Sequence, residues 1–294
     1  MHTYKYIVDI HNHIYPDKIA KNAVQAIGSF YEDSPMKGKG TLNDLLRSGK
    51  EACIENFVVS SAATTPNQVE VINNFMASLS APNTKLIRFG TIHPGIKSVD
   101  RELTRIKSSN LQGIKLHPDF QRFNIDDPSM LPIYKSLEGN LPILFHIGDR
   151  RMDYSNPVRL ARVIEMFPRL TVIAAHLGGY RVWDKLGSIL IGKNVYIDTS
   201  SALMFMEPEQ AVEIIRAHGV DKVLYGTDYP MWSHNIELKR FLSLGLSNEE
   251  NERILSTNAM ELFHLTNTTQ GARRNEHEQT ISSITCHRYD HVEH

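Results

Sequence analysis

Short apolar runs rich in β-branched residues recur along this chain, and segments of helical periodicity separate most of them. The runs Tyr6–Ile10, Asn56–Ser60, Leu86–Ile92, Gly113–Leu116, Ile143–Ile147, Thr171–Ala175, Val195–Asp198 and Lys222–Tyr225 read as strands. Apolar residues three and four apart predict helices over Asp17–Ile27, Leu42–Ile54, Gln68–Leu79, Val99–Ser108, Leu131–Leu137, Pro157–Met166, Trp183–Leu190, Pro208–His218 and Asn248–Leu262. Capping residues support several of these. Thr41 precedes Leu42, with Asp44 three residues on, and Asn156 precedes a helix that opens with Pro157. Gly219 closes the helix that ends at His218. The strands are apolar almost throughout, as expected when both sheet faces are covered. Eight strands alternating with helices give an α/β fold with a parallel sheet, and eight repeats at this length predict a single-domain (β/α)8 TIM barrel. A doubly wound sheet usually carries a glycine-rich phosphate turn after its first strand. Here that position holds His11-Asn12-His13.

The pattern stops after Leu262. The barrel is assigned to residues 1–266, and residues 267–294 read as a polar, aperiodic and mobile tail. The 294 residues are 41% apolar, enough for one large core. Lys and Arg number 32 against 33 Asp and Glu, without a basic block, so nucleic acid and anionic membrane are not expected partners. The first residues resemble neither a signal peptide nor a membrane span. A cytoplasmic protein with a small-molecule substrate is expected, a homodimer being the general prior for assembly. Cys53 and Cys286 are too few for a cysteine zinc cluster.

The histidines sharpen this picture. His11 and His13 stand two apart at a strand end, so alternation aims both the same way, with Asp9 on the same face one step deeper. His93, His117, His146 and His176 follow or end strands three to six, and Asp228 follows strand eight in Tyr225-Gly-Thr-Asp228-Tyr-Pro. In a barrel these ends meet on one rim, where active sites lie. His11, His13, His146 and Asp228 can supply four N and O ligands to a divalent metal and leave room for water. Such a metal brings bound water toward a neutral pKa and polarises a carbonyl. The tail holds four of the fourteen histidines, which are read as solvated.

With Asp9-Ile-His-Asn-His13, Phe145-His-Ile-Gly-Asp149, Ala174-Ala-His-Leu-Gly-Gly179, Val195-Tyr-Ile-Asp-Thr-Ser-Ser201 and Tyr225-Gly-Thr-Asp-Tyr-Pro230 together, the chain resembles the amidohydrolase superfamily. The likeness is to its amidohydrolase-2 branch, which includes nonoxidative decarboxylases related to aminocarboxymuconate-semialdehyde decarboxylase, and it runs from Tyr6 to Leu265. It implies that His11, His13 and His146 are metal ligands. It implies that Asp228 binds the metal or its water and is the general base, and that His176 orients water or polarises substrate, as in mononuclear members, or binds a second metal, as in binuclear ones. Lys115 has two readings: a carboxylated bridge between two metals, or a structural or substrate-facing lysine paired with Asp9 or Asp198. The second is preferred, and with it one metal rather than two. Zinc is the expected ion, with manganese the alternative.

Several residues keep open roles. Arg150 can clamp a substrate carboxylate or form a surface ion pair. His93 and His117 can line the pocket or pack, as can Tyr180 and Trp232. Asp198 can hydrogen-bond a ligand histidine or cap loop amides. Segments Ser29–Gly40 and Asp119–Ser129 are candidate lids without assignable chemistry. The leading expectation is a hydrolase that uses metal-activated water on a small amide, lactone or ester. The alternative is a nonoxidative carboxy-lyase or hydratase on a small carboxylic acid. A barrel that binds without chemistry is the third reading, and the full ligand set argues against it.

Overall fold

The chain opens with β1 (Val8–His13), α1 (Asp17–Phe30), α2 (Leu42–Glu51), β2 (Asn56–Ser60), α3 (Val69–Ser78), β3 (Lys85–Thr91) and α4 (Val99–Ser108). It continues with β4 (Gly113–Leu116), α5 (Pro118–Gln121), α6 (Leu131–Leu137), β5 (Ile143–Phe145), α7 (Pro157–Met166), β6 (Val172–Ala174) and β7 (Tyr196–Asp198). Then come α8 (Pro208–His218), β8 (Val223–Leu224), α9 (His234–Leu242), α10 (Asn248–Glu252) and α11 (Asn258–Leu262). This computed structural model describes residues 4, 6–32, 34, 36–54, 56–82, 84–185 and 189–265. The tail assigned to residues 267–294 lies outside the described residues. No helix among those described is long and apolar enough to cross a membrane.

The eight strands pair in parallel and in chain order. Backbone hydrogen bonds bring the last back to the first: Ile10 N–H donates to the Tyr225 carbonyl (3.0 Å), Asp228 N–H to that of His11 (2.9 Å) and His13 N–H to that of Tyr229 (2.6 Å). The result is the expected (β/α)8 barrel. Inward side chains Val8, Ile10, Val58, Ile87, Phe89, Leu144, Ile173 and Leu224 form its interior with Ala259 and Phe263. Tyr6 and Tyr196, at the strand starts, pack on this group, so α11 closes the end opposite the histidines. Outward residues such as Phe57, Ile114, Phe145, Ile197 and Val223 join the helix layer instead.

Differences from the sequence expectation concentrate at element ends. β1 runs on to His13, while β5 to β8 are shorter than their apolar runs. The helix expected over Trp183–Leu190 is a single tight turn, Trp183–Lys185, with residues 186–188 outside the described ones. The helix expected over Asn248–Leu262 is divided by a wide π turn at Arg253–Thr257. α9 was not expected; the Ser233 side chain caps it by accepting the Ile236 N–H.

One correction bears on the site. Asp9 does not share the face of His11 and His13. On β1, Asp9 to Asn12 spans three steps, where the partner strand takes two from Phe57 to Val59. The extra residue is a bulge, which re-aims every side chain beyond it. Ile10 and His11 therefore both face inward, while Asp9 and Asn12 face out toward His234 at the start of α9. Asp9 is fully buried there. Its Oδ1 accepts the N–H groups of His11 (3.0 Å) and Thr227 (3.1 Å), and its Oδ2 accepts the Thr227 hydroxyl (2.6 Å). This carboxylate clamps the bulge of β1 to the segment after β8. Replacing Asp9 by Ala strands these buried donors at about 1–3 kcal/mol each. Urea unfolding of Asp9→Ala should show a loss of roughly 3 kcal/mol or more; an unchanged midpoint would remove the clamp.

Candidate metal centre and active site

The strand ends open into one cavity of about 550 Å³, whose lining includes His11, His13, Lys115, His117, His146, His176 and Asp228. The Nε2 atoms of His11 and His13 lie 3.2 Å apart. Asp228 Oδ1 lies 3.5 Å from the first and 3.3 Å from the second. Neighbouring ligands in a tetrahedral or octahedral shell with bonds of about 2.1 Å stand about 3.0–3.4 Å apart. The three atoms are thus spaced as neighbours in one coordination shell.

Their protonation fits as well. His11 Nδ1 faces Asp198 Oδ2 at 3.0 Å, with Ser200 Oγ at 2.8 Å. It donates to that carboxylate, which leaves a lone pair on Nε2 for the cavity side. Burial brings His13 down to about 4, so it is a neutral ligand near pH 7. Burial alone would raise the Asp228 carboxyl, but His11, His13 and His176 around it hold it well below the usual range. With His13 in the tautomer that leaves Nε2 free to bind a metal, lone pairs and negative charge converge here. Lys115 supplies the missing cation: its Nζ sits 2.9 Å from His11 Nε2. Burial lowers this lysine to about 8 despite the nearby Asp228 and Asp198. Lys115 contacts His11 and is influenced by the charges of Asp228 and Asp198, with no ion pair to either Asp9 or Asp198 among the described residues.

Asp228 and His176 adopt the left-handed backbone region, each with φ of 62°, as does Ser201 with φ of 47°. For non-glycine residues this costs on the order of 1–3 kcal/mol each, and the surroundings hold Asp228 and His176 in place. Asp228 donates its N–H to the His11 carbonyl, and its Oδ2 accepts the Ser201 hydroxyl at 2.6 Å. His176 donates its N–H to Asp198 Oδ1 (3.1 Å) and its Nδ1–H to the Ser200 carbonyl (2.8 Å). Its Nε2 then faces His146 Nδ1 at 2.9 Å. His146 donates its Nε2–H to the Gly148 carbonyl at 2.9 Å. Two more lone pairs therefore face each other, and this pair too calls for a proton or a cation. Gly148 must be glycine: its φ is +84°, and a Cβ would meet the backbone of Gly179 and Tyr180 at 2.7–2.9 Å.

His11, His13 and Asp228 thus form one compact ligand group. His146 shares their cavity but stands outside that group, joined to it through His176, which stacks on His11 at 5.3 Å. His117 lines the cavity, stacked on His146 at 4.0 Å. His93 is not among the cavity-lining residues; its Nδ1 accepts the Gly95 N–H at 3.0 Å. Arg150 also lies outside the cavity, half-exposed and paired with Glu32 at 2.9 Å. Trp232 backs the site by donating to Ser201 Oγ at 2.9 Å. Sequence reasoning missed Ser200, Ser201 and Tyr31. The serines stood inside the Asp198-Thr-Ser-Ser motif, where only the acid was weighed. Tyr31 falls beyond the expected end of α1, in a segment with no periodic signal.

The amidohydrolase family model matches residues 8–265, and the chain belongs to that family. No curated protein sequence matches it. Solved structures share its fold. An uncharacterised TIM-barrel protein from Bordetella bronchiseptica is 20% identical, with a TM-score of 0.73 over 88% of this chain and 98% of its own. A 5-carboxyvanillate decarboxylase from Sphingomonas paucimobilis is 14% identical, with a TM-score of 0.66 over 89% and 100%. A dihydroxybenzoic acid decarboxylase from a Polaromonas species, with bound manganese and 2-nitroresorcinol, is 15% identical, with a TM-score of 0.69 over 90% and 98%.

Metal analysis of purified protein tests the ligand group. His11→Ala and Asp228→Ala should each lose the ion, and Asp198→Ala should weaken it about 10–100-fold. Because His13 is neutral down to about pH 4, the ion should stay bound at pH 6 and be lost as pH falls toward 4. Full metal content in both alanine variants would sink the assignment.

Proposed function

We propose that the protein is a metal-dependent nonoxidative carboxy-lyase acting on a small planar acid, aromatic or conjugated. The observation that carries this is the division of the cavity. One end holds the ligand group and Lys115; the walls are apolar, with Ile27, Phe30, Phe75, Phe120 and Met231. That arrangement suits a flat apolar body with a carboxylate at one end. The decarboxylases of the same fold support the same reaction class. The donor set of His11, His13 and Asp228, with His146 nearby, fits one divalent ion. Imidazole and carboxylate suit zinc, and the manganese of the Polaromonas relative supports that ion as the alternative.

When bound, the ion supplies Lewis-acid polarisation of a substrate oxygen. Lys115, largely an ammonium at pH 7, pairs with the substrate carboxylate. The facing nitrogens of His176 and His146 lie 2.9 Å apart, and burial holds both rings below the ordinary imidazole range, so the pair takes up a proton as the substrate carboxylate enters beside it. That proton goes to the ring or enol carbon bearing the carboxylate. The bond from this carbon to the carboxylate carbon then breaks, its electron pair returns to the conjugated system and carbon dioxide leaves. Apolar walls exclude water from the departing group. Hydrolysis asks more of Asp228, which would have to take a proton from water. Its carboxyl is held well below the usual range, and both its oxygens are engaged.

A panel of hydroxybenzoates and conjugated diacids, assayed with metal-loaded protein, should release carbon dioxide without net water uptake. Lys115 loses its charge above about pH 8, so KM should climb there. Lys115→Met should raise KM about tenfold or more and abolish that alkaline limb. Turnover of lactones or amides with no carbon dioxide from any acid would reject the proposal.

A further inference from the structure

Tyr31 carries a hydrogen-bond donor that no group among the described residues accepts. It follows the last residue of α1, lines the cavity and is only 9% exposed. The one hydrogen-bond partner of its phenol among the described residues is His117, whose Nε2 lies 2.9 Å from the phenol oxygen. The direction of that bond follows from the other ring nitrogen. His117 Nδ1 accepts the Phe120 backbone N–H at 3.3 Å, where it caps α5. The ring proton is therefore on Nε2, His117 donates, and Tyr31 accepts. The tyrosine keeps its own hydrogen for the cavity.

Both rings are held in place. His117 lies between Phe120 at 3.7 Å and His146 at 4.0 Å, nearly parallel to each, and its backbone N–H donates to Gln121 Oε1 at 2.8 Å. A ring flip would set the Cδ2–H against the Phe120 N–H and take Nε2 away from the Tyr31 oxygen, so both contacts would be lost. Tyr31 packs between Phe30 at 4.9 Å and Tyr180 at 5.4 Å, with the His146 ring 6.1 Å away. The cavity wall beside the phenol includes the apolar Ile27, Phe30, Met36 and Phe120, with the Arg151 guanidinium 5.8 Å from its ring. A free donor in such a wall, one aromatic ring's breadth from a candidate metal ligand, fixes the orientation of a ligand.

We propose that Tyr31 is a substrate-binding residue that donates its phenolic hydrogen to an oxygen substituent on the body of the substrate acid, with His117 as the residue that positions it. This rests on the carboxy-lyase assignment and narrows it to oxygen-bearing aromatic acids over unsubstituted ones. Such an oxygen loses its partner in Tyr31→Phe, while the ring packing stays.

Calorimetric titration of metal-loaded protein with benzoate and with its 2-, 3- and 4-hydroxy derivatives tests this. The native chain should prefer at least one hydroxybenzoate over benzoate by about tenfold, roughly 1.4 kcal/mol. Tyr31→Phe should erase that preference and leave benzoate affinity and metal content unchanged. His117→Phe, which keeps the stack but lacks the donor, should reduce the preference with benzoate affinity retained. An undiminished preference in Tyr31→Phe, alongside carbon dioxide release by the native chain, overturns the role of Tyr31 alone. Failure of the native chain to bind or decarboxylate any of these acids overturns this proposal and the carboxy-lyase assignment together.

Discussion

Three hydrogen-bond acceptors converge on one buried point, and much of the rim is arranged to make that tolerable. His11 Nε2, His13 Nε2 and Asp228 Oδ1 meet within 3.5 Å, and in the metal-binding tautomers each turns a lone pair to that point. In a low-dielectric interior such a group is costly unless a positive charge sits against it. Lys115 provides that charge, at 2.9 Å from His11. The same balance explains why burial leaves His13 neutral while Asp228 is anionic. The Lys115 ammonium thus stands against the same nitrogen of His11 that a divalent ion would use. A substrate carboxylate is the partner proposed for that ammonium.

Two other carboxylates hold this centre from opposite sides. Asp198 takes the Nδ1–H of His11 and the backbone N–H of His176, and so sets the tautomer of one residue and the backbone of the other. Asp9 lies on the outer face of β1 and ties the bulge to the segment after β8. Between them, the strands that bear His11 and Asp228 have little freedom to part. Left-handed backbone at His176 and Asp228 is sustained by the same contacts. Strain at both positions is what a rigid surround makes affordable.

The cavity above this centre differs from it sharply in polarity. Charge and lone pairs occupy its inner end, while α1, α3 and α5 contribute mostly apolar wall, including Ile27, Phe75 and Phe120. A ligand bound there would have its charged group and its apolar body in separate surroundings, the division on which the proposed carboxy-lyase reaction rests. Tyr31 and His117 set a hydrogen-bonded polar pair into that wall. The loops after β5 and β6 stay in close contact through Gly148, which keeps His146 and His176 facing each other.

Much of the fold could be read from the chain itself. Eight apolar runs and their intervening periodic segments are local patterns, fixed by which residues favour a doubly covered strand or an amphipathic helix. β2, β4, α4, α6, α7 and α8 fall where those patterns place them. The motifs at the strand ends likewise placed His11, His13, His146, His176 and Asp228 on one rim, because a barrel converges its strand ends wherever they lie in sequence. Facing and partnership were another matter. Strict alternation put Asp9 beside His11, and a one-residue bulge, set by pairing with β2 and β8, put it on the other side. His93 and Arg150 had the right chemistry near the right strands, but their loops carry them out of the cavity. Ser200, Ser201 and Tyr31 entered the site only through contacts some 27 to 189 residues distant in sequence. Residue type and periodicity determined the barrel and its metal-ligand chemistry. The tertiary structure decided which groups meet, because register shifts and loop paths answer to partners that no local pattern contains.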